Sequence, residues 1–267
     1  RDRAFQRLLT ISHGESQTLT FRTPDGTEQS ATLACPEDGS LNRTEGEAAF
    51  WSYIEPVVRG EIISRRLPSG LGYIRIPTFG RGRADVKVFD AHLDALMDTP
   101  GLMIDLRYNG GGSTFYADPI AGRFFDEPFT YGRFEFPRRL PTYVWRRNIP
   151  LTIRPRRPVY TGPIILLIDG INMSTSESFI ASFIDSGRAQ TVGRRTGGAS
   201  GNPMHFRLIG DYNARFSTGR LHRMHGLMIE GQGLEPDVPV AWTLEDVYAE
   251  RDPDMAQAEA MLLDLIP

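Results

Sequence analysis

Lysine is almost absent from this chain. Of 30 Lys and Arg residues, Lys87 is the one lysine and the other 29 are arginine, so any chemistry that needs a primary amine must use Lys87 or do without. Cys35 is the single cysteine, which excludes an internal disulfide and any multi-cysteine zinc site. Redox chemistry therefore does not decide the compartment. Long apolar runs are missing as well. The longest, Ile164-Ile165-Leu166-Leu167-Ile168, is far too short to cross a bilayer, and no membrane span is expected. The chain opens on Arg-Asp-Arg without a signal-peptide pattern, so an export sequence is expected to have been removed or left out.

What is present is an ordinary globular composition. The 267 residues are 40% hydrophobic and 24% charged, with a net charge of -3, enough for one large domain or a medium domain plus a fragment. An arginine-rich stretch over 133–158 is interleaved with Phe, Tyr and Trp145. The negative overall charge and the lack of a nucleic-acid-binding motif point to a solvated hairpin there, with no nucleic-acid partner.

Residues 1–36 read as a short amphipathic helix ("RAFQRLLTIS") and two alternating runs around Pro24-Asp25-Gly26, a turn signal. A helix and one hairpin bury too little to stand alone. Residues 36–48 are polar and read as a linker. From about residue 60 strands and helices alternate, which predicts an α/β fold. "LGYIRIPTF" is a strand, and "ADVKVFDAHLDALMDT" a helix with Val88, Phe89, His92, Leu93 and Leu96 on one face. "GLMIDLRYN" reads as a buried strand ending at Gly110-Gly111-Gly112, and "GPIILLID" as another. "PDMAQAEAMLLDLI" closes the chain as a helix.

The segment after that second strand, "GINMSTSESFIASFIDSG", admits two readings. Ser174-Thr175-Ser176-Glu177 fits a capping box, with the helix burying Phe179, Ile180, Phe183 and Ile184 and Gly187 as its C-cap. That alone accounts for Ser174. Yet a serine between the end of a buried strand and a helix N-terminus also sits where α/β enzymes place reactive groups. The N–H groups there stabilise the negative charge of an acyl-transfer oxyanion. Gly110–Gly112 offers further N–H groups at a strand end; without a Gly-Lys pair it is not a phosphate loop.

In this order and spacing, "GLGYIRIPTF", "GLMIDLRYNGGG", "GPIILLIDGINMSTSESF", "SGRAQTVGRRTGG" and "IEGQGLEPDV" resemble the carboxyl-terminal processing proteases and the tricorn core protease group of serine peptidases. The resemblance spans roughly residues 60–252. It implies a crotonase-like αβ protease core over 61–267, a linker and helix over 37–60, and the C-terminal part of a PDZ-like domain over 1–36. It also implies a protein or peptide substrate, a periplasmic or extracellular location, and neither a metal nor an organic cofactor.

Carried over by position, the resemblance makes Ser174 the nucleophile and Ser176 structural. The oxyanion donors would be the N–H of Thr175 and of Gly111 or Gly112. The lysine of the family's Ser-Lys branch would fall at Ala199, and Lys87 lies on a distant helix, so that dyad is absent. The tricorn-like branch uses a histidine and a glutamate instead. The glutamate corresponds to Glu230, which would orient and charge-stabilise an imidazole. That branch's histidine comes from a segment before the PDZ domain, upstream of Arg1. Among the histidines of this chain, His13 belongs to the PDZ-like tail and His92 to a core-facing helix position. His222 and His225, three apart in a strand-like stretch, make a poor metal pair. His205 is the in-chain fallback for the base. The expectation is a serine endopeptidase working through an acyl-enzyme. The rival is a catalytically inactive family member that binds peptides or hydrophobic ligands.

Overall fold

The structure, a computed structural model, describes residues 16–23, 25–34, 60–139, 144–208, 213–243, 245–246 and 249–266. The chain divides into two compact units, Arg1–Glu55 and Pro56–Pro267. In the first, β1 (Ser16–Arg22) and β2 (Glu28–Ala34) form an antiparallel hairpin. The expected turn forms around Gly26, whose φ of 86° suits glycine, with its N–H donating to the carbonyl of Thr23. The helix read in "RAFQRLLTIS", His13 and the 36–48 linker lie outside the described residues.

The second unit is built on a six-stranded sheet in the order β13 (Val238–Pro239), β9 (Gln190–Gly193), β8 (Ile164–Ile168), β5 (Leu102–Asp105), β4 (Gly72–Arg75) and β3 (Ile63–Arg66). All neighbours are parallel except β3 against β4. Parallel strands need crossovers, and helices supply them: α1 (Arg83–Asp94), α2 (Thr114–Ala121) and α3 (Thr175–Asp185).

Both faces of the sheet are covered, which is why the central strands read as unbroken apolar runs. Leu102, Ile104, Ile164, Leu166 and Ile168 pack in one core with Phe89, Leu93, Phe124, Phe179 and Phe183. Met103, Ile165 and Leu167 take the opposite face, against Leu71, Tyr73 and the C-terminal helix α4 (Pro253–Leu265), through Ala258 and Leu262. On α1, Phe89 and Leu93 are buried as expected, as is Leu96 just past its end, but Val88 is 42% exposed. His92, expected to face the core, is half-buried and shares a 2.7 Å hydrogen bond with Ser64 Oγ. A polar ring atom with a hydroxyl partner sits at the core's edge.

Helix α4 is tied down by charge as well as packing. Arg107, at the end of β5, pairs with Asp105, Asp252 and Asp254, and Arg194 also reaches the fully buried Asp254. Burial opposes ionisation of Asp105, but the charge and hydrogen bonds of Arg107 outweigh it and hold that carboxyl below its ordinary range. The arginine-rich stretch forms a long hairpin of β6 (Phe129–Arg139) and β7 (Val144–Ile153), extended by β12 (Arg220–Arg223). A separate hairpin pairs β10 (Pro203–Arg207) with β11 (Asn213–Ser217).

Candidate active site

Ser174 occupies the corner between β8 and α3, at φ 57° and ψ -126°. A residue with a Cβ adopts that conformation only at a cost, on the order of 1–3 kcal/mol. The capping box expected there does not form. A capping serine needs extended backbone angles so that its oxygen can reach back to the second or third helical N–H; Ser174 lacks those angles, and its side chain makes no capping bond. Glu177 turns inward instead. Fully buried, its carboxylate accepts from Thr196 Oγ1 (2.6 Å), Gly198 N (2.8 Å), Ala199 N (3.1 Å) and Ser200 Oγ (2.6 Å). The loop so held returns the carbonyl of Ala199 to the N–H of Ser174 at 2.9 Å. Ser176 is fully buried, and its hydroxyl accepts from Asn172 Nδ2 at 3.1 Å.

The glycine corner packs directly onto this serine. Gly111 has φ 101°, and a Cβ there would stand 2.6 Å from the carbonyl oxygen of Met173 and 2.9 Å from Ser174 Cβ. At Gly112, with φ 146°, a Cβ would come within 2.2 Å of Phe79 backbone. Gly111 and Gly112 are thus required by the close approach of strand-end loops, whereas a Cβ at Gly110 would meet nothing within 4 Å. Thr175 Oγ1 donates to the carbonyl of Gly112 at 2.9 Å, joining the two corners. The N–H of Thr175 is the first of α3 and has no intrahelical acceptor. Gly111 gives its N–H to Asn109 Oδ1 at 2.9 Å, whereas Gly110 and Gly112 are exposed.

Two buried asparagines, absent from the sequence reading, assemble these loops. Asn172 Nδ2 donates to the carbonyls of Leu106 (2.6 Å) and Asn109 (3.2 Å), and its Oδ1 accepts from Asp169 N (2.7 Å). Asn109 Nδ2 donates to the carbonyl of Ile76 at 2.9 Å. Asp169 accepts from the N–H groups of Tyr108 and Ile171, and burial pushes its carboxyl up. The signal for each was available, as an amide side chain in an apolar strand-end context, but the partners that join the loops lie 33 residues away for Asn109 and more than sixty for Asn172.

Glu230 lies at the same loop. Its Oε2 accepts from Ser200 N at 2.6 Å and its Oε1 from Ser217 Oγ, so Glu230, Glu177 and Ser174 all bear on residues 198–200. Ala199, where the resemblance would put a dyad lysine, lines a cleft of about 310 Å³ together with Ser174, Gly110, Met173, Gly201, Pro203, Arg215, Phe216 and Ser217. Lys87 is exposed on α1.

Among the described residues no histidine is hydrogen-bonded to Ser174 or Glu230. His92 is with Ser64, and His222 Nε2 is 3.1 Å from Glu135 Oε2. His225 falls in the exposed turn after β12, and exposed His205 is on β10, which borders the cleft through Pro203. Among the same residues no cluster of three or more His, Cys, Asp or Glu could hold a metal ion, and no helix is long and apolar enough to cross a membrane.

The model of peptidase family S41 matches residues 70–240, a span that includes the glycine corner, Ser174, Ala199 and Glu230. The chain belongs to that family. It is 26% identical over 260 residues to the tricorn protease of Thermoplasma acidophilum, covering 97% of this chain and 22% of that protein. It is also 26% identical over 219 residues to the carboxy-terminal-processing protease of Bartonella bacilliformis, covering 77% of this chain and 47% of that one. The chain thus spans less than half the length of either curated relative. Among solved structures, mature CPAF complexed with lactacystin aligns over 95% of this S41 chain and 68% of its own, with a TM-score of 0.71 at 18% identity. A peptidase from Parabacteroides merdae aligns over 98% and 82%, with a TM-score of 0.64 at 24% identity. The fold is the mixed α/β fold of these proteases.

Proposed function

We propose that this chain is the catalytic part of a serine endopeptidase that cleaves polypeptides through an acyl-enzyme on Ser174. Ser174 Oγ attacks the scissile carbonyl and loses its proton to a base. The oxyanion forms against the N–H of Thr175 and of the glycine corner. The protonated base then gives its proton to the leaving amine, and water hydrolyses the ester. The observation that carries this reading is the backbone of Ser174: a non-glycine residue held at φ 57°, ψ -126° between a buried strand and a helix, its hydroxyl released from capping. A strained strand-to-helix corner is how other hydrolases expose a serine nucleophile.

Gly112 is the readier oxyanion partner, because the N–H of Gly111 would first have to leave Asn109 Oδ1. The base is a histidine supplied from a segment upstream of Arg1 and oriented by Glu230. This follows from the resemblance to the tricorn branch, and among the described residues no histidine is hydrogen-bonded to Ser174 or Glu230. The PDZ-like assignment of residues 1–36, the linker and helix over 37–60, the crotonase-like arrangement of the core over 61–267 and a periplasmic or extracellular location belong to the same proposal.

A fluorophosphonate probe tests it. Stoichiometric labelling of the complete protein, mapped by mass spectrometry to Ser174, is the expected result; labelling of Ser176 would mean the wrong serine was chosen. The second reading, a binding protein that kept the cleft without turnover, is favoured only by the lack, among the described residues, of a histidine hydrogen-bonded to Ser174. An unlabelled Ser174 in the complete protein would support it.

A further inference from the structure

Ser217, the last residue of β11, links the cleft to the carboxylate beside it. It lines the cleft with Ser174, and its Oγ donates to Glu230 Oε1 at 2.5 Å. That length suits a hydroxyl bonded to an ionised carboxylate, the stronger class of hydrogen bond. The other oxygen, Oε2, accepts from Ser200 N at 2.6 Å. One donor on each oxygen fixes the plane of the carboxylate, whose terminal torsion is otherwise soft. The main chain next to it is fixed as well, since the N–H of Gly231 donates to the carbonyl of Gly198 at 2.7 Å. Each oxygen keeps a second lone pair, so Glu230 can accept an imidazole N–H without giving up either bond.

The chain keeps room for this pair. At Gly201 a Cβ would stand 2.0 Å from Ser217 Oγ, 2.2 Å from Ser217 Cβ and 3.0 Å from Glu230 Oε1. Gly201 does not have a positive φ, so close approach, not backbone conformation, requires glycine there. Its carbonyl accepts from the N–H groups of Thr218 (2.9 Å) and Gly219 (3.0 Å), and Pro203 pairs with Ser217 across the β10–β11 ladder. Backbone contacts on both sides thus hold the hydroxyl against Glu230.

We propose that Ser217 is a positioning residue for the reaction on Ser174: its hydroxyl aims the carboxylate of Glu230 at the imidazole, and Gly201 leaves the space the pair needs. This rests on the reading of Ser174 as nucleophile and of Glu230 as the group that orients the base.

The test is fluorophosphonate labelling of Ser174 in the complete protein over a range of probe concentrations. Such a series separates the limiting rate from the half-saturating concentration. Ser217→Ala should lower the limiting rate about tenfold, less than the roughly hundredfold that an ångström of misplacement costs. The half-saturating concentration should stay within about twofold of the parent's. Ser217→Thr keeps the hydroxyl and should label nearly as fast as the parent. Gly201→Ala should lose at least as much as Ser217→Ala. In a Glu230→Ala background, Ser217→Ala should cost nothing further, because the hydroxyl acts through that carboxylate.

An unchanged limiting rate in Ser217→Ala overturns the proposal. A rise in the half-saturating concentration alone does so too, by making Ser217 merely a wall of the cleft. Equal losses with and without Glu230, or a loss that Ser217→Thr does not restore, have the same force. The parent protein separates this inference from the reading beneath it. A labelled Ser174 with an indifferent Ser217 sinks this inference alone. An unlabelled Ser174 in the parent sinks the peptidase reading and this proposal together.

Discussion

The N–H of Ser174 donates to the carbonyl of Ala199 at 2.9 Å, and the N–H of Ala199 donates to Glu177 at 3.1 Å. The serine's backbone is therefore fixed by a loop that a buried carboxylate fixes in turn. Thr196, Gly198 and Ser200 donate to the same carboxylate. Glu177→Ala would leave four donors without their acceptor, at a cost of about 3 kcal/mol or more. Urea unfolding should show that loss, and fluorophosphonate labelling of the variant that remains folded should slow markedly. Wild-type labelling in a folded Glu177→Ala protein would confine Glu177 to stability.

The strained corner makes a separable prediction. Glycine relieves the φ of 57° at Ser174, whereas alanine does not. Ser174→Gly should therefore be more stable than Ser174→Ala by about 1 kcal/mol, and both should be inactive. Thermal melts compare them directly. An alanine variant as stable as the glycine one would mean the corner is not strained.

The central strands were legible in the sequence because burial on both faces removes their alternation. The order of the motifs was legible because each marks a strand end. The serine's position was legible and its local bonding was not. Ser-x-x-Glu satisfies the capping pattern, but Glu177 has four donors waiting in a loop some twenty residues on, and the backbone angles of Ser174 depend on Ala199 in that loop. Asn109 and Asn172 were missed for the same reason. Their bonds run between loops distant in sequence, and residue spacing does not encode such pairings. Val88 was misassigned because an apolar residue at the margin of a helical stripe satisfies the periodicity from either side.

Asp118, on α2, gives a pH signature. Burial, opposed by a hydrogen bond from Tyr131, pushes its carboxyl up to about 6 from 3.8. A raised folded-state pKa means the native state holds the proton more tightly. Its stabilising contribution is present below the unfolded value and is lost as pH rises through about 6. The loss amounts to about 3 kcal/mol at most between acidic and neutral pH. Asp118→Asn should flatten that dependence and raise the melting temperature at neutral pH. An unchanged pH profile in the variant would mean Asp118 is ordinary in its ionisation.

Ala199 lines the cleft with Ser174 at the position where the resemblance puts a dyad lysine. Ala199→Lys should therefore give the chain its own base. Peptide hydrolysis by the variant should exceed that of the parent chain by about a hundredfold, the low end of general-base catalysis. No gain, with fold intact, would show that the cleft does not aim that side chain at Ser174.

The most direct test of the whole account is peptide hydrolysis by these 267 residues alone. Ser174 needs a base within hydrogen-bond reach. The account predicts weak binding without turnover. Cleavage should return when the segment upstream of Arg1 is supplied, covalently or as a separate fragment, and disappear again when that segment's histidine is replaced by alanine. In the restored protein, Glu230→Gln should lower kcat far more than it raises KM. Robust cleavage by the chain alone that is lost in His205→Ala would contradict the account and put the base on β10.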